Sequence, residues 1–133
     1  MKREDKELML KDLCGRLPYG VKASTKVGGN IEISFIGEDT IIGEDGDSYD
    51  VSFITPYLFP MSSMTEEQYE NFIIVSGFGG EIEDVRRGRF VFLGTIGIDF
   101  IYDTLDWLNA NHFDYRGLIG KGLAIDCTNL NIY

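Results

Sequence analysis

The sequence predicts a single α+β domain over residues 1–133, with an antiparallel sheet of about four to five strands packed against two or three helices. Three observations carry this expectation. Arg3–Leu17 and Ile98–Asn109 place apolar residues at helical spacing. Between Tyr19 and Ile54, β-branched and aromatic residues alternate with polar ones. The links between those strands are too short for crossover helices, so their pairing is antiparallel.

Arg3–Leu17 opens the chain as a helix, with Leu10, Leu13, Cys14 and Leu17 on one apolar face. Glu4 and Asp5 sit early and Lys11 and Arg16 late, which suits the helix dipole. Gly15 weakens the last turn and Pro18 stops it. Strands follow at Tyr19–Val27, Asn30–Ile36 and Ser48–Ile54, with a shorter one at Thr40–Ile42. Ile31, Ile33 and Phe35 point one way, Glu32 and Ser34 the other, and Tyr49, Val51 and Phe53 repeat the alternation. Gly28-Gly29-Asn30 marks a hairpin. The stretch TPYLFP, bracketed by Pro56 and Pro60, reads as irregular.

Ser63-Met64-Thr65-Glu66 has capping-box spacing ahead of a helix from about Met64 to Val75. Its stripe is Tyr69, Phe72 and Ile73, and Gly77, Gly79 and Gly80 end it. Glu81–Val85 and Arg89–Leu93 read as a strand pair around Arg86-Arg87-Gly88. Ile98–Asn109 is the clearest helix, with Ile98, Ile101, Tyr102, Leu105 and Leu108 as its stripe. Leu123–Cys127 reads as a final strand. The Arg3 and Ile98 helices are expected to cover one face of the sheet, with the Met64 helix near an edge.

The composition is that of a globular protein, 44% hydrophobic and 26% charged. Acidic residues outnumber basic ones 22 to 12, a net charge of −10 that repels phosphate backbones and disfavours direct nucleic-acid binding. The charged N-terminus MKREDKELML lacks the apolar core of a signal peptide, and the apolar runs Phe72–Val75 and Phe90–Leu93 are too short to span a bilayer. A cytoplasmic protein with no membrane association is the expectation, with Cys14 and Cys127 as reduced thiols.

Candidate chemistry concentrates after Trp107. His112 is the only histidine, and Asp114, Tyr115 and Arg116 follow within four residues. An imidazole beside a carboxylate fits a general acid or base, and an arginine fits an anion. No nucleophile motif accompanies them. The structural reading is that Asn109, Asn111 and His112 satisfy carbonyls at a helix end, Phe113 and Tyr115 anchor the loop, and Asp114 pairs with Arg116. Asp99, Asp103 and Asp106 read as a solvated helix face, and the acidic stretch Gly37–Asp50 lacks the spacing of a calcium loop. Arg86-Arg87-Gly88-Arg89 is the only basic cluster; it could bind phosphate or a partner's acidic surface, but pairing with the chain's own carboxylates is its expected use. Phe78–Gly80 and Gly94–Gly97 do not complete a nucleotide fingerprint, and no cysteine or histidine pair has zinc spacing. No metal or cofactor is expected.

Three stretches, LMLKDLCGRLPYGVK (Leu8–Lys22), PYLFPMSSMTEEQ (Pro56–Gln68) and WLNANHFDYRGLIGKGLAI (Trp107–Ile125), resemble a family of small proteins of uncharacterised function from gut Bacteroidales and their phages and prophages. That family's pattern carries a second histidine where Asn111 stands, which argues against a two-histidine site here. The resemblance implies an intracellular protein of a bacterium or mobile element and implies no activity.

The expected function is that of an accessory protein acting by protein–protein interaction. Its contact surface for an unidentified protein partner would include Asn109, Asn111, His112, Tyr115 and Arg116. Two alternatives stand beside it. One is a small enzyme with His112 as general acid or base, supported by Asp114 and Arg116; the other is an acidic nucleic-acid mimic.

Overall fold

The computed structural model describes residues 1–89 and 98–133. It is an α+β structure. Helix α1 spans Arg3–Arg16 and continues into a 3₁₀ turn at Leu17–Tyr19. Strands β1 (Val21–Thr25), β2 (Asn30–Ile36), β3 (Thr40–Gly43) and β4 (Ser48–Asp50) form an antiparallel meander. The β1–β2 turn runs through Gly28 and Gly29 at φ of 92° and 88°, backbone that only glycine adopts freely. A 3₁₀ turn at Val51–Phe53 leads into β5 (Ile54–Pro60). Beyond it come α2 (Glu66–Ser76), α3 (Ile82–Arg86), α4 (Ile98–Ala110) and the two-residue strands β6 (Phe113–Asp114) and β7 (Ile125–Asp126). The sheet order is β4-β3-β2-β1-β5-β6, with β7 also on β5.

Three features of the sheet differ from expectation. The expected strand Ser48–Ile54 is broken by the 3₁₀ turn at Val51–Phe53, where the Asp50 carboxylate accepts from the Ser52 amide at 2.9 Å and ends β4. The TPYLFP stretch is the core of a central strand, not an irregular link. The Lys26 amide donates to the Phe53 carbonyl at 3.0 Å, which sets the ladder so that Ala23 and Pro56 form a non-hydrogen-bonded pair. The missing proline N–H therefore removes no bond to β1. The sheet is also mixed, because β6 and β7 run parallel to β5. They lie end to end along its free edge, β7 against Tyr57–Leu58 and β6 against Phe59–Pro60. The connection from β5 to β6 contains α2, α3 and α4, ample for a parallel crossover.

The apolar residues form two clusters. The first joins Met9 and Leu13 of α1 to Val21, Ala23, Ile33, Ile41, Ile54 and Leu58 of the sheet. The second joins Phe72 and Phe78 to Met61, Met64, Val85, Leu108 and Phe113. Helix α4 therefore packs mainly with α2 in this second cluster and touches α1 near Gly15, instead of sharing one face of the sheet with it. Along β2 the alternation holds at Ile31 and Ile33, but a register shift before Phe35 turns that ring outward.

The Met64 helix begins later than its spacing suggests. Thr65, not Ser63, is the N-cap: its hydroxyl accepts from the Gln68 amide at 3.1 Å, and the Gln68 side chain accepts from the Thr65 amide at 2.8 Å. Gly77 closes the helix at a φ of 69°. Thr65→Ala removes this reciprocal cap and should lower stability by about 1 kcal/mol in urea unfolding; an unchanged midpoint would show the cap to be idle.

Glu81–Val85 is not a strand. Asp84 accepts from the Glu81 amide at 3.2 Å, and this local bond, with Glu83 early and Arg86 late, closes the short helix α3. Its expected partner Arg89–Leu93 lies outside the described residues from Phe90 onward.

Candidate functional site

The segment after Trp107 folds back on the end of α4. The backbone amide and side-chain amide of Asn111 both donate to the Trp107 carbonyl, at 3.0 and 2.9 Å, and the His112 amide donates to the Asn109 carbonyl at 3.1 Å. Orphan carbonyls at the helix end are thereby satisfied. His112 takes the left-handed conformation, φ 61°, that reverses the chain, a region histidine tolerates better than most residues. Its carbonyl then accepts from the Phe59 amide at 2.8 Å, leading β6 onto the sheet. Phe113 is buried, stacked on Trp107 at 5.8 Å between centroids.

A buried ion pair lies beneath this corner. Asp12 and Arg16 are one turn apart on α1 and both are 0% exposed. Arg16 Nε and Nη2 donate to the Asp12 carboxylate at 2.6 and 3.1 Å, and Nη2 also donates to the Phe113 carbonyl at 2.7 Å. Nη1 is buried without a hydrogen-bond acceptor among the described residues. Arg116 brings a second guanidinium within 3.5 Å of Asp12. Both arginines lie near the Tyr115 ring, at 5.1 and 5.4 Å, and the Tyr115 hydroxyl donates to Asn109 at 2.9 Å. Gly15 lets Asn109 come close: a Cβ there would stand 3.3 Å from Nδ2 of Asn109. The sequence reading sees Gly15 only as a weak point in α1; here it is the point where α1 and α4 meet.

The candidate catalytic groups face separate partners. The His112 ring stacks on Tyr133, 3.5 Å between centroids at an interplanar angle of 11°. The Asp114 carboxylate accepts the backbone amides of Leu118 and Ile119, at 2.8 and 2.9 Å, instead of pairing with Arg116. Arg116 instead lies 3.5 Å from Oδ1 of Asp12, a carboxylate whose two oxygens already accept from Arg16. Among the described residues, no three His, Cys, Asp or Glu side chains converge as metal ligands. No helix there is long and apolar enough to cross a membrane.

Loss of solvent, then the Arg16 and Lys22 cations, push the His112 pKa down from its usual 6.5 to about 4. The folded chain thus holds a neutral imidazole over a range where the unfolded chain binds a proton. Stability from this group is complete above about pH 6.5, falls as pH drops, and levels off near pH 4. His112→Asn keeps the tolerance for left-handed backbone but cannot titrate. Its urea midpoint should fall less than that of the wild type between about pH 7 and pH 5; equal losses would contradict the assignment.

A second feature lies along α4. The expected stripe buries only Leu108 among its described members. Thr104, Leu108 and Asn109 are buried, and Trp107 packs in the second cluster. Phe100, Ile101, Tyr102 and Leu105 are exposed by 45%, 40%, 58% and 36%. The helix is apolar over a wider arc than α2 covers, and the expected stripe runs from the covered part, at Leu108, onto the uncovered part at Ile101, Tyr102 and Leu105. Asp103 and Asp106 are exposed beside this outer face. Tyr19 extends it from the neighbouring turn; partial loss of solvent and the Asp106 carboxylate raise its phenol pKa.

In comparisons with known proteins, no family model, no curated protein and no solved structure matches the chain.

Proposed function

We propose that this protein is an accessory factor that acts by binding another protein, and that the outer face of α4 is its contact surface. One observation carries the reading. Ile101, Tyr102 and Leu105 stay exposed on a helix already anchored by Thr104, Leu108 and Trp107, whereas Phe100, one turn before Thr104, lies on the α2 side beside Gly77. Adjacent exposed apolar side chains on one helix mark an interaction site more often than scattered single ones do. The expected surface at Asn109, Asn111, His112, Tyr115 and Arg116 adjoins this face at the helix end, but its polar groups are largely engaged within the chain.

The partner's chemistry follows from the rim. Asp103 and Asp106 border the apolar residues, and the whole chain carries −10. The matching surface is apolar and edged with lysine or arginine, so association is fast at low salt and slows as salt rises. The resemblance noted in the sequence supports a setting in a bacterium or its phage. The test is affinity capture from such cells with the wild type and with a Tyr102→Ser/Leu105→Ser variant, followed by binding of the purified candidate. A partner with a basic-rimmed apolar surface that loses affinity for the variant supports the proposal. Equal binding to both proteins contradicts it.

A further inference from the structure

The cluster Arg86-Arg87-Gly88-Arg89 is only partly used by the chain's own carboxylates. Arg86 pairs with Glu83 at 3.0 Å and donates to the Met64 carbonyl at 2.9 Å. Arg87 and Arg89 have no carboxylate partner among the described residues, in a chain with ten more acids than bases. Arg86 and Arg87 line a cleft of about 360 Å³ between α3, the turn after β5 and the loop after β6. Its other walls include Met61, Tyr115 and Ile119.

We infer that this cleft binds a small oxyanion-bearing molecule with an apolar or aromatic body. Its volume lies within the range of small-molecule sites. A guanidinium presents a planar fork that matches a phosphate or carboxylate by two parallel hydrogen bonds. Exposed Arg87 is free to supply it, and half-buried Arg86 is held in place behind it by Met64 and Glu83. The apolar walls suit the ligand's body. Among the described residues, the one carboxylate lining the cleft is Asp114, whose two oxygens are occupied by the Leu118 and Ile119 amides, which disperse its charge. The site is separate from the outer face of α4 and stands whether or not that face binds a protein.

The experiment is an amide-resolved NMR titration with phenyl phosphate, benzoate and inorganic phosphate, using wild type, Arg87→Gln, Arg87→Lys and Arg89→Gln. Phenyl phosphate or benzoate should move the amides of Arg87, Gly88, Gly117 and Gly120 with a Kd near ~1 mM, and inorganic phosphate should bind more weakly for want of a body. The tighter of the two aromatic probes identifies the oxyanion. Arg87→Gln should weaken binding about tenfold, and Arg87→Lys should restore only part of it because a point charge replaces a fork. Arg89→Gln should leave binding unchanged, since Arg89 does not line the cleft. The inference is overturned if neither aromatic probe shifts these amides, if the shifts are equal in Arg87→Gln, or if Arg89→Gln weakens binding as much. An unaltered spectrum of Arg87→Gln away from the cleft confirms that this exposed substitution leaves the fold intact.

Discussion

Asp12→Ala should destabilise the protein by about 3–5 kcal/mol, the range for breaking a buried ion pair by removing one partner. The reason is the company Asp12 keeps. It is fully buried, it takes two hydrogen bonds from the equally buried Arg16, and the Arg116 guanidinium lies 3.5 Å from it. Without the carboxylate, a guanidinium that already has one nitrogen without an acceptor among the described residues is left uncompensated in the interior. Arg16→Met should cost a similar amount, because it strands Asp12 and frees the Phe113 carbonyl. Combining Asp12→Ala with Arg16→Met should cost much less than the two single losses together, since neither charge is then buried alone. Additive urea-unfolding losses would show that the pair does not act as a unit.

The second large effect should appear in binding and leave folding almost untouched. Tyr102→Ala is expected to change stability by no more than about 0.5 kcal/mol, because the ring is 58% exposed. Against the purified partner it should cost about 2 kcal/mol, roughly thirtyfold in Kd, as central aromatic contacts do. Leu105→Ala should act in the same direction but more weakly. Leu108→Ala reverses the pattern: the residue is fully buried, and its loss should destabilise the fold by about 2–5 kcal/mol. A Tyr102→Ala variant that unfolds, or that binds like the wild type, would remove the proposed role of this face.

Much of the architecture was legible from pattern alone, and the failures have physical causes. The meander from β1 to β4 follows from alternation and a glycine turn. Helix α1 lies where its periodicity puts it, yet the face it buries is rotated by one residue. Met9, Asp12, Leu13 and Arg16 also fall at i, i+3, i+4 and i+7, and this face is the buried one. Two charged residues hide it from any reading that counts only apolar side chains. The detectable signal is an Asp–Arg pair at i, i+4 flanked by Met9 and Leu13. In β5, Pro56 argued against a strand, and only the ladder register shows why it is tolerated. Glu81–Val85 was too short for periodicity to separate strand from helix.

The candidate site was legible as a place but not as a wiring diagram. The sequence marks the chain reversal after Trp107, and Asn111 and Phe113 do what helix-end chemistry leads one to expect. It cannot show that Arg116 reaches across to Asp12, because that pairing is set by where α1 packs; Asp114 instead uses its oxygens locally, on the amides of Leu118 and Ile119. Nor can a single stripe reveal that α4 is apolar over a wider arc than α2 covers.

Placing a photo-crosslinking amino acid at position 102 in the protein's native cell tests the central claim most directly, with the same probe at exposed Val27 as the control. The account predicts one dominant protein adduct from position 102, absent from position 27, whose crosslinked residue lies in an apolar patch bordered by lysine or arginine. No adduct at 102, or the same adducts from both positions, would contradict it.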